Sequence, residues 1–150
     1  MPNKVKSMLR AGKPTIGGWI SVGHPSIAEI VAEAGFDWVL ADMESGALTC
    51  SEVQMLFQAM APFDVVPMAR VLKNDAETIG QVLDMGARGI VFPRVNTRAE
   101  AEAAVNAAKY PPEGTRGISV SRAHGYGAHF KEYVDSANEE ILVVIQIEHT

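Results

Sequence analysis

Cysteine occurs once in the 150 residues, at position 50. A single thiol can close no internal disulfide and build no multi-thiolate metal centre, which fits a reducing compartment, and Cys50 reads as a small residue at a helix start. Long apolar runs are also missing: none approaches the ~18 residues of a membrane span. Positive charge is in deficit, with 13 Lys and Arg against 18 Asp and Glu and a net charge of -5, so no cationic surface for nucleic acid or an anionic membrane is expected. Four cations (Lys4, Lys6, Arg10 and Lys13) gather near the start. The stretch that follows them is broken by Gly17 and Gly18 and lacks the apolar region and cleavage site of a secretory leader, so a cytoplasmic location is expected. With 47% hydrophobic residues, a chain of this length buries roughly 70% of its unfolded surface, which excludes disordered and fibrous classes.

What is present is a rhythm of short β-branched runs and longer helical patterns. Strands are predicted over residues 15–22, 37–42, 65–71, 89–95 and 141–147, and helices over 25–34, 49–61, 75–85, 97–108 and 130–138. Pro25 opens the first of these helices and Gly35 closes it, while Thr97 and Glu100 have capping-box spacing. Residues 114–129, rich in glycine and without a period, read as a long excursion that covers a site mouth or packs on a neighbouring subunit. Strands apolar on both faces and separated by helices predict a parallel α/β sheet. Five strands suit either a flavodoxin-like doubly wound sheet or part of a (β/α)8 barrel. The segment after the first strand, SVGHPS, is no glycine-rich phosphate loop, and that favours the barrel.

Polar residues collect at the strand ends: Asp42 and Glu44, Arg70, Arg94, and Glu148. In both folds ligands bind at the C-terminal edge. Asp42 and Glu44, two apart, point to one side, although a helix cap or an ion pair is the ordinary role of such a pair. A guanidinium closing an apolar strand must be paired, and Arg70 has the fork that suits a small carboxylate or an enolate oxygen. Glu148, after six apolar residues, needs a cation or a metal, and an oxygen donor set suits Mg2+ or Mn2+ better than zinc.

The segments AGFDWVLADMESG, MARV, QVLDMGARGIVFPRV, KYPPEGTRG and IQIE resemble the HpcH/HpaI aldolase family, the class II pyruvate aldolases typified by 2,4-dihydroxyhept-2-ene-1,7-dioate aldolase. The resemblance runs from about residue 4 to residue 150. It implies a (β/α)8 TIM barrel of the phosphoenolpyruvate/pyruvate type, of which residues 1–150 are expected to be the N-terminal five βα units of a single domain. It implies cytosolic homo-oligomers, hexamers or trimers, and reversible cleavage of 4-hydroxy-2-oxo acids to pyruvate and an aldehyde with a divalent ion (Mg2+ or Mn2+, or Co2+). By the same resemblance Glu148 matches a metal-ligand glutamate, and Arg70 the arginine that contacts pyruvate and its enolate. Gln146 matches a polar residue on the same edge, Asp84 the aspartate that pairs with a catalytic histidine, and Asp42 and Glu44 the acidic residues of the second strand's signature. An ion on Glu148 would act as a Lewis acid while Arg70 stabilises the enolate charge.

The chain departs from this pattern in two ways. The family's histidine after the glutamate is Ser45 here, whose hydroxyl takes up no proton near neutral pH, so Asp84 loses its expected partner. Ser45 is therefore a catalytic candidate only by position, and a family member that binds a 2-oxo acid or metal without efficient catalysis is the alternative reading. His24 belongs to a turn and has a surface role as its simpler reading, His124 and His129 fall in the excursion, and His149 is expected to face away from Glu148. The second departure is length: a complete barrel takes about 250 residues, so the second metal ligand, an aspartate, is expected beyond residue 150. Arg94 is a candidate for narrowing the aldehyde choice, with a salt bridge to a helix as its commoner role.

Overall fold

The computed structural model describes residues 2–148. Five strands, β1 (Gly17–Ile20), β2 (Trp38–Asp42), β3 (Val66–Arg70), β4 (Gly89–Phe92) and β5 (Leu142–Ile145), pair in parallel in the order β1-β2-β3-β4-β5. Neighbours in sequence are neighbours in space throughout. That is the winding of a (β/α)8 barrel, and it excludes the flavodoxin-like alternative, whose strand order reverses about a switch point.

The helices α2 (Pro25–Glu33), α3 (Cys50–Met60), α4 (Ala76–Asp84), α5 (Arg98–Ala108) and α6 (Phe130–Glu140) follow the predicted segments. Thr49 with Glu52 and Thr97 with Glu100 form complete capping boxes, and Asp75 caps α4 by accepting from the Thr78 N–H at 2.9 Å. The side chain of His24 caps α2, its Nδ1 accepting from the Ser26 N–H at 3.2 Å, so this exposed histidine has a structural task. Apolar side chains of these helices meet one face of the sheet. Phe57, Leu56, Ile79, Leu83, Val39, Ile90 and Phe92 are wholly or almost wholly buried in that layer. Each such side chain contributes about 1.5–3 kcal/mol of transfer free energy.

A second, smaller core lies on the other, concave face, built from Leu40, Met68, Val91, Val66 and Val5, with Trp38, Leu142 and Val144 against it. Alternation along the strands divides the two layers: Val39 and Ala41 face the helices, Leu40 and Asp42 the concave side. Gly17 is required here, because a Cβ would lie 2.1 Å from the Trp38 ring that occupies its place.

Val5 belongs to an element absent from the sequence expectations, α1 (Lys4–Arg10). Asn3 caps this helix and is completely buried. Its amide donates to the carbonyls of Arg88 at 2.8 Å and Glu140 at 2.9 Å, and its backbone N–H to the Glu140 carboxylate. Lys6 donates to the Ile141 carbonyl at 2.8 Å. The helix is thereby fixed to the N-terminal ends of β4 and β5, where it covers the lower end of the concave face.

The excursion does not reach the C-terminal edge. Arg122, at the start of a 3-10 segment (Arg122–Gly127), donates to the carbonyls of Met85 at 2.8 Å and Phe57 at 3.1 Å, which lie at the ends of α4 and α3. His124 is buried against the rings of Phe130 and Tyr133. Its Nδ1 accepts from the Gly127 N–H at 3.0 Å, and its Nε2 lies 2.9 Å from the Ser121 N and 2.8 Å from the Ser119 carbonyl, so the ring is tied into the backbone of the excursion. His124 thus belongs to the packing at the far end of the sheet, and His129 stands exposed at the start of α6. His149 lies outside the described residues.

Candidate active site

The C-terminal edge of the sheet carries one dense polar cluster. Strand register builds it: Asp42 and Arg70 are direct partners on β2 and β3, so their side chains rise side by side on the concave side. Arg70 donates through Nε to Asp42 Oδ1 at 2.8 Å and through Nη2 to Asp42 Oδ2 at 2.7 Å, a two-toothed pair with side chains only 13% and 4% exposed. Burial opposes the charge on Asp42. The hydrogen bonds from Arg70, from Trp19 and from the Ser45 backbone more than offset it and hold the carboxyl down at about 2. The same pair raises Arg70 further above its already high ordinary value.

Residues 42–46 turn sharply after β2, and the N–H groups of Glu44 and Ser45 both point back to Asp42 Oδ1, at 3.1 and 3.3 Å. That turn delivers two more partners to Arg70: Ser45 Oγ accepts from Nη2 at 2.8 Å, and the Glu44 carboxylate sits 3.0 Å from Nη1. Gly46 makes the turn possible, since a Cβ there would meet the Asp42 carbonyl oxygen at 2.5 Å.

From the other side, Gln146 follows β5 and accepts from Arg70 Nη1 at 3.5 Å. Its backbone continues the sheet past β5, its N–H bonded to the Phe92 carbonyl and its carbonyl to the Val95 N–H, each at 2.9 Å. Glu148 accepts from the Arg94 N–H at 3.1 Å and acts on Arg70 as an attractive charge. Arg94 has φ of 54°, a backbone conformation rare outside glycine, of the kind that gathers at functional sites. Its Nε lies 3.6 Å from Glu44, so its partner is in the cluster and not on a helix.

Six of the seven residues expected at the site therefore meet around one guanidinium: Asp42, Glu44, Ser45, Arg70, Gln146 and Glu148. Asp84 does not join them within this chain. It ends α4, which runs back from the C-terminal edge, so its carboxylate lies toward the opposite end of the sheet. There it accepts from Arg116 at 2.7 Å and Ser119 at 2.5 Å and anchors the excursion. Arg116 is buried and lies over the ring of Tyr110.

One member of the cluster escaped the sequence reading. Trp19, on β1, lays its ring 5.1 Å from the Arg70 guanidinium carbon. The available signal was position: an amphipathic residue on the strand preceding the acidic signature, two residues from the strand's polar end.

Chemically, Arg70 is a fixed cation whose Nε and Nη2 are held by Asp42. Nη1 carries the looser contacts, to Glu44 and Gln146, and is the nitrogen best placed to take an incoming oxyanion. Among the described residues no three His, Cys, Asp or Glu side chains form a group able to hold a metal ion. Glu148 and Gln146 offer hard oxygen donors at the edge, which fit part of the ligand set of Mg2+ or Mn2+.

The sequence model of the HpcH/HpaI aldolase/citrate lyase family matches residues 15–150. A hydroxypyruvate/pyruvate aldolase of Sagittula stellata is 41% identical over 147 residues, which cover 97% of this chain and 58% of the relative. A pyruvate aldolase of Rhizobium etli is 44% identical with the same coverage. Among solved structures, an HpcH/HpaI aldolase/citrate lyase family protein from Burkholderia cenocepacia J2315 superposes with a TM-score of 0.93 at 33% identity, over 99% of this chain and 60% of that one. The chain thus spans less than two thirds of the length of the relatives it matches.

Proposed function

Because the chain belongs to the HpcH/HpaI aldolase/citrate lyase family, we propose that residues 1–150 are the N-terminal part of a single (β/α)8 barrel domain whose intact form is a metal-dependent pyruvate aldolase. It would make and cleave 4-hydroxy-2-oxo acids, with pyruvate and an aldehyde as the small-molecule partners. The observation that carries this reading is the Arg70–Asp42 pair at the C-terminal edge, with Nη1 turned to Gln146 and Glu44.

Arg70 binds the 2-oxo acid and stabilises the negative charge that grows on its oxygen as the C3 proton or the aldehyde leaves. A guanidinium already oriented by Asp42 needs little reorganisation when that charge appears, the condition under which such stabilisation is largest. Gln146 and Glu44 mark the positions that substrate oxygens take over or adjoin. Glu148 is the proposed metal ligand in this chain, for Mg2+, Mn2+ or Co2+. When bound, such an ion supplies Lewis-acid polarisation of the 2-oxo group. Ser45 holds Arg70 Nη2 in place and does not act as the base. The proposal includes a cytoplasmic homotrimer or homohexamer, a state that sedimentation of the intact protein checks.

The test is an assay of the intact protein with Mg2+, Mn2+ or Co2+, pyruvate and a small aldehyde. Product formation and exchange of the pyruvate methyl protons in D2O are followed together by NMR. Activity with at least one metal is expected, and the absence of both signals with every metal rejects the aldolase. Ser45 itself favours one second reading, a member that binds the 2-oxo acid or the metal but turns over poorly. In that case Ser45→His raises the exchange rate at least tenfold, whereas brisk exchange by the unmodified protein excludes it.

A further inference from the structure

We propose that Trp19 is a positioning residue for Arg70: its indole face holds the guanidinium in the orientation that receives the 2-oxo acid. The inference rests on the reading of Arg70 given above and adds a residue that neither the strand-end pattern nor the family resemblance supplied.

Three observations carry it. The Arg70 guanidinium carbon lies 5.1 Å from the Trp19 ring centroid, within the range of a cation–π contact. Trp19 also helps to hold the Asp42 carboxyl in its charged form, so one residue acts on both halves of the ion pair. Behind it stands Trp38, edge-on with centroids 6.5 Å apart and planes at 71°. Trp38 is in turn fixed by its Nε1–H bond to Thr15 at 3.2 Å and by the space that Gly17 leaves. This series of contacts runs across β1 and β2 and ends at the cation.

Trp19 stands on the concave side of β1, with its ring against a guanidinium that is itself mostly shielded. It closes one face of the guanidinium to water and stops it from rotating off Asp42. The fork is thereby left to present the Nη1 edge. A planar ligand carboxylate or enolate then meets a cation that does not have to be ordered on binding.

The experiment uses the intact protein and the variants Trp19→Phe, Trp19→Leu and Arg70→Met. Pyruvate binding, kcat and KM are measured separately, thermal midpoints are recorded, and Trp19 emission is taken as the difference between proteins with Trp19 and with Trp19→Phe. Trp19→Leu, which loses ring and N–H, is expected to raise the pyruvate KM and Kd about fivefold to twentyfold, in proportion to a lost cation–π contact. Trp19→Phe keeps the ring and is expected to fall between wild type and Trp19→Leu; it decides the question if Trp19→Leu fails to fold. Arg70→Met should shift the Trp19 emission whether or not pyruvate binds. Folded Trp19→Leu and Trp19→Phe proteins whose pyruvate parameters stay within twofold of wild type would overturn the inference, as would an emission indifferent to Arg70. A wild type that neither binds nor exchanges pyruvate sinks instead the functional reading of Arg70, and the emission still decides whether Trp19 senses that cation.

Discussion

Arg70 and Asp42 hold each other by two short bonds in a nearly closed setting, so each is costly to lose alone. Lysine cannot replace the fork, because one ammonium cannot keep the paired bonds to both Asp42 oxygens and also reach Ser45 and Glu44. Arg70→Lys in the intact protein is therefore expected to lower kcat/KM for pyruvate at least a hundredfold, close to Arg70→Ala, in a steady-state assay. Asp42 adds a pH signature. Its carboxyl sits at about 2 when folded against an ordinary 3.8, so its contribution is complete above pH 4 and is lost as pH falls from there toward 2. That difference corresponds to about 2 kcal/mol. Urea unfolding at a series of pH values should show this acid loss in the wild type and a flatter curve, with lower stability at neutral pH, in Asp42→Asn. An unchanged acid limb in Asp42→Asn would assign the loss to other carboxylates. Arg70, Asp42 and Glu44 were legible in the sequence because charged residues cannot close apolar strands unpaired. Trp19 was not, since a tryptophan in a strand is compatible with ordinary core packing.

At the level of elements, the turn after β2 and the end of α4 show what spacing can and cannot convey. The 42–46 turn folds back so closely that Gly46 admits no side chain without moving the Asp42 carbonyl. Gly46→Ala is expected to displace Glu44 and Ser45 from Arg70, costing about 1–3 kcal/mol of stability as an overpacked site does. Pyruvate binding should fall with it, measurable by calorimetry alongside the thermal midpoint. Asp84, matched to a family aspartate by resemblance, makes a different contact within this chain, because a helix of this length returns its last residue toward the far end of the sheet. Its partner Arg116 is almost wholly buried, with Tyr133 and the Tyr110 ring as its other neighbours. Removing the carboxylate leaves a buried cation without its counter-charge, so Asp84→Ala is expected to lose about 3 kcal/mol, read by urea unfolding. Limited proteolysis should then cut first within residues 114–129. If the stability stays within 0.5 kcal/mol, roughly the spread of neutral surface changes, the anchor is not structural. The short helix α1 left only a faint trace, one capping asparagine and Val5, because its stability comes from bonds to distant residues such as Arg88, Glu140 and Ile141.

For the molecule as a whole, strand order was the part of the fold that periodicity could not supply. Apolar runs gave five parallel strands, but only pairing shows that they wind in one direction and curve around a concave apolar face. That face contains a hollow of about 310 Å3, lined by Leu9, Trp19, Leu40, Met68 and Val144 among others. At its flanks β1 and β5 are the edge strands of the described sheet. Open strand edges beside an apolar surface favour pairing with further chains, which natural sheets avoid by closure or charge. The 150-residue chain made by itself is therefore expected to associate. Light scattering behind size exclusion should give a mass above 16.1 kDa that rises with concentration, together with binding of an apolar dye. Val144→Lys places a charge on the concave face beside an edge and should reduce both signals. A stable 16.1 kDa monomer that ignores the dye would show that the concave face and both edges are adequately covered within this chain.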